Sequence, residues 1–218
     1  MVDLQGQDVV AILTRAPSAG GKTRLFAERG GAPDPDFLAA LLLDTLDAVT
    51  VPRIVRVVCF TPAAAGDEIR SLVPPGVHVM PQRGDDLGER MRHAFDDLLA
   101  SGAASVVLVG SDVPGIGATT VSTARDLLHE RPSIVVIGPA ADGGYYLIGA
   151  TRTPTVLLGP MHWGGPDVLE RTEARARRAK VDIVRLPEAQ DVDSLDDLRA
   201  LLRSDARASR TRAKCRGW

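Results

Sequence analysis

Two unbroken apolar runs constrain this chain most: Val106-Val107-Leu108-Val109 and Ile134-Val135-Val136-Ile137, each followed at once by a glycine. A strand with one face in water alternates apolar and polar residues; these runs do not, so both read as parallel strands covered on two faces. Other short β-rich runs fall at residues 9–13, 54–60, 77–80 and 182–186. Helical periodicity separates them, clearest over 35–49, 87–99, 119–129, 166–179 and 195–202. That alternation predicts an α/β fold, a sheet between helical layers. Asp34 before Pro35, and Ser194 before Asp196 and Asp197, supply the chemistry of helix starts: a side-chain cap, a first-turn proline and first-turn acids.

Composition narrows the class. A chain of 218 residues can bury about 70% of its unfolded surface, and one domain over 1–203 is expected. With 44% hydrophobic and 25% charged residues, wholesale disorder is excluded. No apolar stretch approaches the ~20 residues of a membrane span. The first thirteen residues carry Asp3 and Asp8 and no basic segment, unlike a secretory signal. Cys59 and Cys215 form neither a disulfide framework nor a zinc spacing, and Cys59 sits in an apolar run as a buried thiol would. A cytoplasmic location is expected. The net charge of −2 hides an asymmetry: residues 205–218 hold five basic groups and one acid, leaving 21 basic and 27 acidic residues in the body. So acidic a body is a poor nucleic-acid binder. Residues 204–218 are expected to form a basic, disordered tail, or else an arm for an acidic partner.

In open α/β sheets, ligands gather where strands end at their carboxyl side. Four segments there carry candidate chemistry. After the first strand, Arg15-Ala16-Pro17-Ser18-Ala19-Gly20-Gly21-Lys22-Thr23-Arg24 offers glycine amides and two cations to a phosphate, or else is a solvated surface loop. It is not a Walker A loop, because Ala16 stands where the first glycine belongs and Gly30-Gly31 interrupts the following helix. After the second apolar run, Gly110-Ser111-Asp112-Val113-Pro114 places a hard carboxylate where Mg²⁺ facing phosphates would need one, unless Asp112 only caps a turn. Asp142-Gly143-Gly144-Tyr145-Tyr146 would bind an acceptor or sugar, or make an Asp-Gly hairpin with its tyrosines in the core. Asp191 and Asp193, two apart on an extended stretch, point the same way, and one of them could be a second metal ligand; an acidic helix start is the alternative.

In order along the chain, Lys-Thr-Arg-Leu (22–25), Gly-Asp-Asp-Leu-Gly-Glu-Arg-Met (84–91), Gly-Ser-Asp-Val-Pro (110–114), Asp-Gly-Gly-Tyr-Tyr-Leu-Ile-Gly (142–149) and Asp-Val-Asp-Ser-Leu-Asp-Asp-Leu (191–198) form a set. It resembles the nucleotide-diphospho-sugar transferase superfamily over about residues 9–202, and within it the radical-SAM or selenodomain-associated glycosyltransferase group. The resemblance implies a GT-A fold: a three-layer, Rossmann-like sandwich with a mixed, mostly parallel sheet. Asp112 matches the metal position, whereas Pro114 stands where an Asp-x-Asp signature of glycosyltransferases has its second acid. Asp193 matches the acid that precedes a helix start in sugar nucleotidylyltransferases. The 22–25 loop is similar to the basic loop of phospholactate guanylyltransferases, although the fuller Gly-x-Gly-x-Arg-Met pattern is missing.

The expected function is a transferase using Mg²⁺ (or Mn²⁺) and a nucleotide. A phosphate or phosphonate oxygen of a small acceptor would attack a nucleoside triphosphate and release pyrophosphate. Asp112 and Asp193 would hold the metal, Lys22 and Arg24 would stabilise the leaving group, and Asp142 would act near the acceptor. Substrate contacts are assigned to Ala16, Gly20, Gly21, Arg83, Gly84, Arg90, Ser111, Gly143, Gly144, Tyr145, His162 and Trp163. Arg83 and Arg90 could equally be solvated, and His162 and Trp163 could instead pack under a loop. Glycosyl transfer from a nucleotide sugar and a non-catalytic nucleotide-binding regulator are the alternatives. No membrane or nucleic-acid partner is expected.

Overall fold

A computed structural model of the chain describes residues 3–204 and 208–216. Its strands are β1 (Asp8–Arg15), β2 (Ile54–Thr61), β3 (His78–Pro81), β4 (Ser105–Gly110), β5 (Val135–Pro139), β6 (Tyr145–Ala150) and β7 (Ile183–Arg185). The helices are α1 (Thr23–Arg29), α2 (Pro35–Ala48), α3 (Gly66–Leu72), α4 (Leu87–Ala100), α5 (Ala118–Glu130), α6 (Val168–Ala179), α7 (Leu195–Ser204) and α8 (Ser209–Lys214). The strands form one sheet in the order β3-β2-β1-β4-β6-β5-β7, parallel except for β6, which runs against both β4 and β5.

The apolar runs are buried on both faces. Val107 and Val109 pack with Leu42, Leu46, Val121 and Leu128 of α2 and α5, while Val106 and Leu108 pack with Met91, Phe95 and Leu98 of α4. This is the expected three-layer, mostly parallel α/β sandwich. One detail differs, since β4 and β5 each have a parallel neighbour on one edge and β6 on the other. Two-sided burial removes alternation whichever way a neighbour runs, so the pattern could not report direction. The hairpin alternative for 142–146 does hold: β5 and β6 pair antiparallel, and Tyr146 is buried with its hydroxyl donating to Pro187 O at 3.0 Å.

Asp34 caps α2 by accepting from the amides of Asp36 and Phe37, with Pro35 in the first turn. A third apolar cluster joins Leu25 and Phe26 of α1, Phe37 and Leu41 of α2, and Val192, Leu198, Leu201 and Ala208. It anchors the end of the chain against the expectation of a disordered tail. In α8 the Thr211 amide donates to Asp44 at 2.7 Å, Arg210 pairs with Asp44 and Asp47, and Lys214 pairs with Asp36. Arg210 and Lys214 thus match acids on α2. Residues 205–207 and 217–218 of the expected tail lie outside the described residues. Among the described residues, no helix is long and apolar enough to cross a membrane.

Candidate functional site

β1 and β4 are neighbours, so their carboxyl ends open on the same edge of the sheet. Asp112 lies just beyond β4. Gly110 gives it room, because a Cβ there would sit 2.7 Å from Asp112 Oδ1. Two bonds pin the turn: Thr45 Oγ1 donates to Ser111 O and the Val192 amide to Asp112 O, both at 3.0 Å. Because Val192 is itself locked into the third apolar cluster, the acids on either side of it are carried to Asp112. Asp197 fixes the same stretch by accepting from Asp193 N, Ser194 N and Ser194 Oγ, and its own amide donates to Ser194 Oγ as a cap. As a result, one oxygen each of Asp112, Asp191 and Asp193 lie within 4.8 Å of one another.

Lys22 reaches this cluster from the first loop. Its backbone is left-handed, with φ of 50°, and its ammonium pairs with both Asp112 and Asp193. Burial alone would depress the ammonium pKa; the two carboxylates outweigh it and hold it above its ordinary value. Asp191 is placed differently. Its Oδ1 is buried and has no hydrogen-bond partner among the described residues. Burial first, then the charges of Asp112, Asp193 and Asp142, push its carboxyl up to about 7, against the pull of Lys22. Fully ionised, three carboxylates against one ammonium leave two negative charges, which one divalent cation would cancel. The donors are hard oxygens, the ligand type that suits Mg²⁺ and Mn²⁺. The residues present therefore fit such an ion.

Beside the cluster lies a cavity of about 280 Å³, walled by Leu13, Leu87, Met91, Tyr145, Trp163 and Val168 and reached by Ser111, Asp112, Asp142 and Asp191. Its rim depends on Gly143, whose φ is +90° and whose missing Cβ would lie 1.9 Å from Pro166 O. The Gly143 carbonyl accepts from Leu169 N at 2.9 Å, tying the β5–β6 turn to α6, and Asp142 accepts from Gly144 N at 2.9 Å. Burial holds the Tyr145 phenol well above its ordinary pKa.

Of the residues singled out from sequence, Ser111, Asp112, Asp142, Gly144, Tyr145 and Trp163 line the cavity, while Lys22 and Asp193 join the charged cluster outside it. Gly20 and Gly21 lie in the loop that delivers Lys22. Ala16 is fully buried and its amide donates to Thr61 O, so it packs the end of β1. Arg24 is not brought to the acids: it pairs with Glu28 and its side chain is 73% exposed. Arg83 pairs with Asp97, and Arg90 Nε donates to Gly84 O, so these residues brace the turn before α4 and do not line the cavity. His162 is exposed and outside the lining as well. Asp191 is the residue that the two-ligand expectation left out. Its two-residue spacing from Asp193 was the available signal.

A family profile described as "Uncharacterized protein conserved in bacteria (DUF2064)" matches residues 45–165, more than half of the chain. The chain belongs to the DUF2064 family. The DUF2064 match spans Asp112, Asp142, Tyr145 and Trp163 but stops short of Lys22, Asp191 and Asp193 on either side. No curated protein matches the chain. Among solved structures, a protein of Desulfovibrio desulfuricans G20, provisionally described as a nucleotide-diphospho-sugar transferase, matches over 96% of both chains with 29% identity and a TM-score of 0.83. CMP:2-keto-3-deoxy-manno-octonic acid synthetase complexed with CTP matches over 91% of this chain and 99% of its own, at 16% identity and a TM-score of 0.58. A Mycobacterium tuberculosis H37Rv protein in complex with manganese matches over 91% and 100%, at 21% identity and 0.52. These likenesses agree with the superfamily suggested by the motif order and with its fold.

Proposed function

We propose that this DUF2064 protein is a divalent-metal-dependent transferase that takes a nucleotide, and that its reaction is nucleotidyl transfer from a nucleoside triphosphate to a small acceptor. The observation that carries this reading is the meeting of Asp112, Asp191, Asp193 and Lys22 where β1 and β4 end, beside a ligand-sized cavity. Its fold likeness to a CTP-bound synthetase and to a manganese-bound protein supports it. Asp112, Asp191 and Asp193 would hold Mg²⁺ or Mn²⁺, which supplies charge neutralisation to phosphate oxygens.

The chain's own residues do the rest. Lys22 presents a permanently charged ammonium at the cluster, and the flexible Gly20-Gly21 backbone lets phosphates approach it. Arg24, exposed and paired with Glu28, would have to leave that pair to meet the terminal phosphates. Asp142, on the cavity rim, accepts the acceptor's proton. An acceptor oxygen bonds to the α-phosphorus, the bond from that phosphorus to the bridging oxygen breaks, and pyrophosphate departs with the electron pair. Such a displacement depends on positioning and charge rather than on a protein nucleophile.

Glycosyl transfer is the second reading, favoured by the 29% identity to the Desulfovibrio protein with its sugar-transferase description. Thermal stabilisation by panels of nucleoside triphosphates and nucleotide sugars, with and without Mg²⁺, tests both. A ligand at 100 times its Kd adds about 2.7 kcal/mol. The proposed reaction requires metal-dependent stabilisation by a triphosphate and pyrophosphate as product. Stabilisation by nucleotide sugars alone, with nucleoside diphosphate released, transfers the assignment to glycosyl transfer.

A further inference from the structure

The lining of the cavity restricts what the acceptor can be. Among the described residues, its only charged side chains are Asp112, Asp142 and Asp191, and no lysine, arginine or histidine lines it. A phosphate monoester or carboxylate is normally met by an arginine fork or a lysine. Here the nearby cations are engaged elsewhere: Lys22 with Asp112 and Asp193, Arg83 with Asp97, Arg90 with the Gly84 carbonyl, and Arg175, whose charge reaches Tyr145, with the carbonyls of Leu157, Gly159 and Pro160. The first turn of α4, which reaches the cavity through Leu87, already holds the Asp86 carboxylate on Glu89 N at 2.8 Å. Once a nucleotide's phosphates have drawn on Lys22 and a bound metal, an anionic acceptor would face Asp142 with no cation among the described lining residues to pair with it.

The walls point to the opposite chemistry. Leu87, Met91, Tyr145, Trp163 and Val168 present apolar and aromatic surface, and about 280 Å³ is at the small end of ligand pockets, roughly 300 Å³ upward. Trp163 Nε1 is buried and packed against Gly88, so the indole offers the cavity ring surface and no donor. Gly88 makes room for the indole, since a Cβ there would lie 2.4 Å from the ring.

Resting on the transferase reading above, we propose that the acceptor is an uncharged alcohol with a flat apolar body about one ring system in size, and that phosphorylated acceptors are excluded. This replaces the phosphate or phosphonate acceptor expected from sequence. The body lies against Trp163 and Met91. The hydroxyl oxygen forms the new bond to the transferred group, its proton passes to Asp142, and the leaving phosphate takes the electrons of the broken bond. The same acceptor serves nucleotidyl and glycosyl transfer.

The test uses matched pairs, 2-phenylethanol with its phosphate monoester and indole-3-ethanol with its phosphate monoester. Their binding is measured by calorimetry on the full chain at fixed salt and Mg²⁺, with and without a non-hydrolysable nucleoside triphosphate. In at least one pair the alcohol should bind tenfold or more tightly than its phosphate. Trp163→Ala should weaken the alcohol about tenfold, and Leu87→Arg, a change at a half-exposed position on the wall, should shrink or reverse the preference. Tighter or equal binding of the phosphates, or no binding of either member, overturns the proposal. Failure of triphosphate and Mg²⁺ to bind, with the preference for alcohols intact, sinks the transferase reading and leaves the polarity of the cavity standing.

Discussion

Two carboxylates with buried oxygens in this molecule have opposite surroundings. Asp44, in α2, is fully buried and takes the Thr211 amide, the Arg210 amide and the Arg210 guanidinium. Asp191, half-buried, has a buried oxygen with no partner among the described residues and is surrounded by Asp112, Asp193 and Asp142. A satisfied carboxylate serves the fold: it holds α8 on α2. An unsatisfied one among others of the same charge opposes the fold, and its presence calls for a ligand that the rest of the chain does not supply.

The comparison can be broken by changing one side at a time. Asp44→Ala should have the largest effect on stability, about 3 kcal/mol, because the Thr211 amide and Arg210 lose their acceptor together. In a chain of this size that lowers Tm by roughly 6–12 °C; thermal melts would show it, and metal binding by the folded fraction should not change. Wild-type stability in this variant would mean that α8 is not held by Asp44. Asp112→Asn should reverse the pattern. It keeps shape but removes a charge from the cluster, so Mg²⁺ or Mn²⁺ affinity should fall about 100-fold, read by calorimetry, with Tm close to the parent's. Unaltered metal affinity would remove the cluster from the mechanism.

A smaller effect concerns pH. Asp191 has a folded pKa of about 7 against an unfolded value near 4. Between those values the folded state keeps a proton that the unfolded state has lost, so stability of the protein in chelator falls as pH rises from about 4 to 7 and is lowest above it. Asp191→Asn should flatten this slope and gain about 1 kcal/mol at pH 8, after allowance for solvent screening. Urea titrations at pH 5 and pH 8 would measure it; an unchanged slope would mean that the carboxylates do not repel one another in solution. The smallest effect belongs to Arg24→Ala. Exposed and paired only with Glu28, Arg24 should contribute a few-fold to triphosphate binding and nothing measurable to Tm. It should not affect nucleotide-sugar binding, if it meets the terminal phosphates.

Much of this arrangement could be read from the residues in order. Strand and helix positions followed from periodicity, and the caps at Asp34 and Ser194 from side-chain chemistry. Asp112 and Lys22 stood out because both follow strands that end on the ligand-binding edge. Four features escaped. The direction of β6 was left open between a ligand loop and an Asp-Gly hairpin, because two-sided burial hides it from the apolar pattern. The short helices α1 and α3 are too brief for periodicity to register. α8 is held by acids on another helix rather than by a pattern of its own. The polarity of the cavity depends on which cations are already paired, and no spacing reports that.

The sequence by itself determined the alternation of strands and helices, and therefore a layered sheet whose strand ends carry acids and glycines, because periodicity and turn chemistry act over a few residues. Tertiary structure alone decided which charges meet. Lys22 is 90 residues from Asp112 and 171 from Asp193, and they come together only because β1 and β4 pair and Val192 bonds to the Asp112 carbonyl. Arg24, two residues beyond Lys22, is turned to solvent by the first turn of α1. Charge acts through space rather than along the chain, so the partners of each acid were settled by the packing of distant segments.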